Sequence, residues 1–266
     1  MQFEMWSIWH FLYIASPIVI MAVLWLILKN KSQKTKYIVG VVIGCLSLGV
    51  LLARNIDIFV RTGWDPEILP LQVCHFGNIM VFISLVFRSK IATAIAWSLN
   101  LLAAAASLIV ADALTGYADI FVIRAQAYIW GHLFIVLGSL YAVIFKIVRI
   151  NIKSFLIGLG VVALLLIPSI ILNSYFNDVL GYSINYFYVY NSHGVPFEFI
   201  DALAARSQYG WFTINWLYTA FIIVTFGLAM YLIYLLQKLF YRKDKTYDTK
   251  HIFTREKQGR ADKKLM

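Results

Sequence analysis

The chain has 266 residues, 61% of them hydrophobic and only 14% charged, and its mean hydropathy is +0.77. These values exclude an ordinary water-soluble globular domain and describe a polytopic membrane protein. The net charge of +10 does not imply nucleic-acid binding, which would need the basic residues on a folded, exposed domain.

A helix needs about 20 residues to cross a hydrocarbon core of ~30 Å. Seven apolar runs meet that length: Phe11 to Leu28, Tyr37 to Val60, Pro70 to Phe87, Ile91 to Val110, Ala125 to Phe145, Phe155 to Asn173 and Gly210 to Leu236. The first is expected to be retained rather than cleaved as a signal peptide. Residues 1–10 contain Glu4 and no Lys or Arg, and the run ends in Lys29 without a small-residue cleavage pattern. If the N-terminus is outside, the loops and tail assigned to the cytoplasm carry 19 of the 23 basic residues, leaving Arg54, Arg61, Arg124 and Arg206 on the other side. Lys and Arg accumulate on the cytoplasmic side. The predicted fold is therefore all-α: a seven-helix transmembrane domain over residues 1–236, N-terminus outside, followed by a basic cytoplasmic tail over 237–266. The expected location is the cell membrane, and the tail, from Tyr241-Arg-Lys-Asp-Lys onward, is expected to meet anionic lipid head groups.

In the second run, Gly40 and Gly44 have the spacing that permits close helix approach. Arg54, Asp57 and Arg61 share one face of the same helix. They read either as an interfacial ion-pair cluster or as an anion clamp, because guanidinium presents a planar fork of donors.

The third run opens with Leu69-Pro70-Leu71-Gln72-Val73-Cys74-His75, where Pro70 suits the first turn of a helix. Gln72, His75 and Asn78 recur at spacings of three, and Cys74 lies four before Asn78. On a helix Cys74 then falls about 40° from Asn78 and about 100° from His75. Polar groups in a membrane helix mark functional sites, or supply ordinary interhelical hydrogen bonds.

The fourth run is rich in small residues, from Ala103 to Ser107, and carries Asn100 near its middle. The segment from Ala111 to Arg124 reads as an outer loop or a re-entrant turn. His132 in the fifth run lies about 10 Å below the outer boundary, and Cys74 about 6 Å below it. Tyr128 and Ser139 share the face of His132. Beyond Pro168, the long segment from Ser174 to Gln208 is rich in Tyr and Asn and reads as an interfacial cap over the outer mouth. The two cysteines, Cys45 and Cys74, lie at different depths and cannot bridge. No zinc-ligand spacing or glycine-rich phosphate loop is present, so no metal or cofactor is expected.

Three stretches carry a family likeness: Leu69-Pro70-Leu71-Gln72-Val73-Cys74, Trp130-Gly131-His132, and Asn185-Tyr186-Phe187 with Tyr209-Gly-Trp-Phe212. The sequence resembles the YwaF-like bacterial integral membrane proteins. These in turn look like distant relatives of a eukaryotic membrane acyltransferase acting on ether phospholipids and, more remotely, of the androgen-induced lipid hydrolases. The resemblance implies a nucleophile at Cys74 with His132 as its partner, acting on a lipid acyl group. Bacterial members often carry His where Gln72 stands and Asp where His75 stands, so His75 is expected to substitute for the lost group.

On this reading the polar face is one wall of an outward-facing pocket completed by the fifth helix. Cys74 and His132 are the catalytic pair, and Arg54, Gln72, His75, Asn78 and Arg124 bind a phospholipid substrate. Arg54 or Arg124 would hold the phosphate, and Asn78 is a better oxyanion donor than Gln72. The alternative is a transporter or a lipid- or solute-binding protein in which the same residues line a pathway without chemistry. The chain shows no internal repeat of the kind many transporters carry.

Overall fold

The computed structural model describes residues 2–192, 198–203 and 206–241. It contains seven helices long and apolar enough to cross a membrane. They are α1 (Ile8–Leu28), α2 (Gln33–Thr62), α3 (Val73–Phe87), α4 (Lys90–Ile109), α5 (Ile123–Ile144), α6 (Ile152–Ser174) and α7 (Trp216–Leu236). The chain is an all-α, multi-pass membrane protein. Among the described residues the single sheet is a hairpin of β1 (Ser207–Tyr209) and β2 (Phe212–Ile214), paired antiparallel.

Every apolar run found in the sequence becomes a helix, but the ends differ where polar capping residues extend or delay them. The Ser32 side chain accepts the Thr35 N–H at 3.1 Å, so α2 begins four residues before Tyr37. At its far end Gly63, with φ +75°, takes a backbone conformation that residues with side chains rarely adopt, and the helix stops there. Pro70 does not start α3 as expected: a short turn over Pro66–Ile68 precedes it, and the helix begins at Val73. Gly210 likewise does not start α7. It sits with φ +63° in the turn of the hairpin, and α7 begins only after Asn215, whose side chain accepts the Tyr218 N–H at 3.0 Å. The segment after Ala111 forms a short turn over Asp112–Leu114, and Arg124 falls in the first turn of α5.

One irregularity has no mark in the sequence. Over Ala96–Asn100 helix α4 widens into a single π-turn. The Ala96 carbonyl there also accepts the Ser139 hydroxyl of α5 at 2.9 Å, and the Trp97 indole donates to the Ile233 carbonyl of α7 at 2.8 Å. The bulge therefore ties α4 to the helices on both its sides.

Helices α2, α3 and α5 form the tightest part of the bundle. A Cβ on Gly40 would stand 3.2 Å from the Tyr141 ring, and one on Gly44 would stand 3.3 Å from the Leu85 Cβ. The glycine pair thus brings α2 against α5 and α3 within the chain. Val81, Leu85, Ile135, Tyr141 and Ala142 are fully buried at this junction. Helices α1 and α7 leave Ile18, Val19, Leu26, Val224, Leu228 and Leu232 exposed, the apolar side a membrane helix turns to lipid. The Tyr37 and Tyr141 hydroxyls bond the Val86 and Lys36 carbonyls at 2.7 and 2.6 Å, closing the end that bears the basic loops. At the opposite, polar-loop end both α3 and α5 begin, so these two helices run parallel.

Candidate functional site

At the polar-loop end, α2 grips the segment leading into α3. Asp65 accepts the Glu67 N–H at 2.8 Å and fixes the short turn. Arg54 donates to the Glu67 carboxylate at 2.7 Å and to the Glu67 carbonyl at 3.3 Å, and the Asn55 amide donates to the Ile68 carbonyl at 3.2 Å. Asp57 pairs instead with Arg61 at 2.7 Å. The three charges read from sequence as one cluster are divided: Asp57 holds Arg61, while Arg54 is engaged by the Glu67 carboxylate of the loop.

This clamp delivers Cys74 as the second residue of α3. Its thiol is half-buried. Gln72 occupies the N-cap position but makes no side-chain capping bond. Gly77 packs on Ile135, and Gly138 on Val81. By the same stagger, Cys74 comes level with Gly131 and His132 on the parallel helix α5. Their similar depth therefore holds, although no hydrogen bond joins Cys74 to His132 among the described residues.

His132 is 4% exposed and its Nδ1 lies 2.7 Å from the Tyr128 carbonyl. A carbonyl only accepts, so in the neutral ring Nδ1 carries the proton and Nε2 is left as an acceptor. The Tyr128 ring packs on the imidazole at 4.2 Å between centroids, and its hydroxyl donates to the Ser107 carbonyl at 3.0 Å. Arg54, Tyr128 and Tyr188 all come within electrostatic reach of Cys74. His75 is buried, close enough to Arg54 and His132 to feel their charge, and its Nδ1 has no hydrogen-bond partner.

Asn78, expected to face the substrate, is a strut. Its Oδ1 accepts the Ser47 hydroxyl of α2 at 2.7 Å, and its Nδ2 donates to the Cys74 carbonyl at 3.0 Å. Asn100 does the same one residue earlier. From the wide turn of α4 its Nδ2 donates to the Val73 carbonyl at 3.0 Å, with Gly77 pressed against its side chain. Sequence alone places Asn100 near the middle of its helix; the bulge is what lets it reach the turn that carries Cys74.

Arg124, in the first turn of α5, keeps a buried Nε without a partner. Tyr117 lies near both Arg54 and Arg124; burial pushes its phenol up, and the two guanidinium groups oppose that shift. Gln72 and Arg124 thus sit at the starts of two parallel helices, where unpaired backbone N–H groups and helix dipoles favour an anion.

The cap after α6 closes over this end. Asn173 holds Tyr186 by both backbone groups, accepting its N–H at 2.7 Å and donating to its carbonyl at 3.0 Å. The Tyr186 hydroxyl donates to the Pro66 carbonyl at 2.5 Å, and Phe187 packs on Phe76. Phe187 and Tyr188 adopt φ of +51° and +55°. Non-glycine residues reach that region only when their surroundings impose it, and here it turns Tyr188 toward Cys74. Burial pushes the Tyr188 phenol up to about 12. In the sequence Tyr188 is one tyrosine among several of the cap, with nothing to mark it as a neighbour of the thiol.

No curated protein and no solved structure matches the chain at a significant level. The family model for the TMEM164 family matches residues 5–234, a span that begins before α1 and reaches the last turn of α7. It includes every residue of the site above, and the chain belongs to the TMEM164 family of membrane proteins.

Proposed function

We propose that this protein cleaves or transfers an acyl group of a membrane phospholipid, with Cys74 as nucleophile and His132 as its base. The observation that carries the reading is the placement of Cys74 in the first turn of α3, level with an imidazole whose orientation is fixed by the Tyr128 carbonyl. A nucleophile beside a base that is itself oriented by a third group is the general arrangement for covalent acyl transfer. The positive end of the helix dipole favours the negative charge that develops at the sulfur. Catalytic hydrogen bonds are often absent from a free enzyme and form when substrate binds.

In the step itself His132 Nε2 takes the thiol proton, and sulfur attacks the ester carbonyl carbon. The tetrahedral intermediate expels the lipid alcohol, which receives the proton from His132, and a thioester remains on Cys74. Water or the hydroxyl of a second lipid then attacks the thioester, giving its proton to His132, and the thiol is restored. Arg124 and the open helix start of α5 take the phosphate, while Gln72 and His75 line the approach. Arg54 acts through Glu67 by holding the loop that presents Cys74. The basic tail over 242–266 lies outside the described residues; its charge fits anionic lipid on the cytoplasmic side of the cell membrane.

Purified protein in phospholipid vesicles carrying a labelled acyl chain tests this. Cys74→Ala and His132→Ala should each lower label release or transfer by at least ~100-fold, the lower range for loss of a positioned proton acceptor. Unchanged activity in both variants refutes the assignment.

A further inference from the structure

The first turn of α3 supplies more than the nucleophile. The backbone amides of Val73, Cys74 and His75 have no backbone acceptor among the described residues, and the Gln72 side chain leaves them uncapped. The Cys74 and His75 N–H groups are directed at the Cys74 side chain. The His75 ring reaches back to the Leu69 backbone at the open end of the helix, and its Nδ1 is unpartnered although the residue is 5% exposed. An unpaired polar atom so deeply buried is uncommon, and it points to a polar ligand at this end of the helix.

We infer that the Cys74 and His75 backbone N–H groups form the oxyanion site for the acyl carbonyl that Cys74 attacks; this rests on the function proposed above. When the S–C bond forms, the carbonyl π pair moves to oxygen, and these amides receive the resulting charge. When the carbonyl re-forms, the lipid alcohol leaves with the proton held by His132. Such donors work only if they are already in place. Here Asn100 holds the Val73 carbonyl and Asn78 holds the Cys74 carbonyl, each at 3.0 Å, and Ser47 fixes Asn78 in turn. The same bonds commit the Asn78 side chain to the backbone, which leaves the amides of the turn as the donors.

Capping the helix tests the assignment. An N-cap side chain accepts the N–H of the second or third helical residue, and at position 72 those are Cys74 and His75. Gln72→Asp and Gln72→Ser should each preserve or raise thermal stability while lowering kcat roughly 10²- to 10³-fold, the loss seen when an oxyanion donor is removed. Gln72→Ala, which removes the same side chain but leaves the amides open, is the reference against which the turnover of both capping variants is read. Gln72→Ser adds no charge, so a drop shared by both capping variants is not an effect of placing a carboxylate near the thiol. A lipid aldehyde that forms a hemithioacetal with Cys74 gives a second readout, binding the capping variants at least ~10-fold more weakly than Gln72→Ala. Equal turnover and equal aldehyde affinity in all three variants, with Cys74→Ala inactive, overturns the oxyanion site and leaves the nucleophile standing. Full activity of Cys74→Ala overturns both.

Discussion

The turn that carries Cys74 is held by three small polar contacts: Ser47 to Asn78, Asn78 to the Cys74 carbonyl, and Asn100 to the Val73 carbonyl. Removing the Ser47 hydroxyl leaves the Asn78 Oδ1 buried without its donor. Ser47→Ala should cost about 1–3 kcal/mol, the penalty for a buried unsatisfied acceptor, read as a lower melting temperature in detergent. An unchanged melt would show that Asn78 re-pairs. Gly138 is the tightest glycine among the described residues: a Cβ there would run into the fully buried Val81. Gly138→Ala should destabilise by about 1–3 kcal/mol through overpacking; a melt equal to the parent would mean that α3 and α5 part freely.

Much of this residue pattern was legible in sequence. Helical spacing alone sets Cys74 beside Asn78 and away from His75, and run boundaries alone bring Cys74 and His132 to similar depth. What spacing could not show is which atoms are already spent. Arg54 reads as an anion clamp until Glu67, thirteen residues on and in a loop, is seen to take its guanidinium. Asn78 reads as a donor to substrate until Ser47 and the Cys74 carbonyl are seen to use its amide.

Among the elements, the wide turn of α4 and the cap after α6 decide the shape of the site, and neither follows from hydropathy. An inserted residue in a helix changes no composition, so the reach of Asn100 to Val73 was hidden. Asn100→Leu should free the Val73 carbonyl and lower kcat while the overall helix content by circular dichroism stays constant. Retained kcat would separate the bulge from the chemistry. The cap's tyrosines announced an interfacial segment, but not the left-handed backbone that points Tyr188 inward.

The cap also carries a pH dependence. Burial pushes the Tyr188 and Tyr190 phenols up to about 12, and the Tyr190 hydroxyl donates to Asp178 at 2.7 Å. An unfolded phenol titrates near ~10. The folded cap thus binds these protons more tightly than the open chain. Its stability is fully present below pH ~10 and is lost as pH rises toward ~12. Amide exchange in residues 182–192 should accelerate over that interval while α2, α3 and α5 stay protected; constant protection from pH 8 to 11 would contradict it.

At the scale of the whole molecule, the sequence conveyed seven helices and their order because lipid demands long apolar runs with every backbone group paired inside the helix. It misplaced ends where polar caps such as Ser32 and Asn215 decide them. Orientation follows from the loop charges: a reporter active only in the cytoplasm should work when fused after residue 266 and fail when inserted between residues 182 and 185. The reverse pattern would invert the site. A peptide of residues 241–266 should bind vesicles containing anionic lipid and be released by high salt, as surface electrostatics requires; salt-insensitive binding would point to apolar insertion instead.

The nucleophile proposed at Cys74 is open to direct detection. Protein incubated with phospholipid bearing an isotope-labelled acyl chain, quenched in acid and digested, should yield a Cys74 peptide heavier by one acyl group. That mass should be lost on hydroxylamine treatment and absent from Cys74→Ala. Turnover of the labelled lipid with no acyl adduct on Cys74, or the same adduct yield elsewhere in the Cys74→Ala protein, would contradict a Cys74 acyl-enzyme.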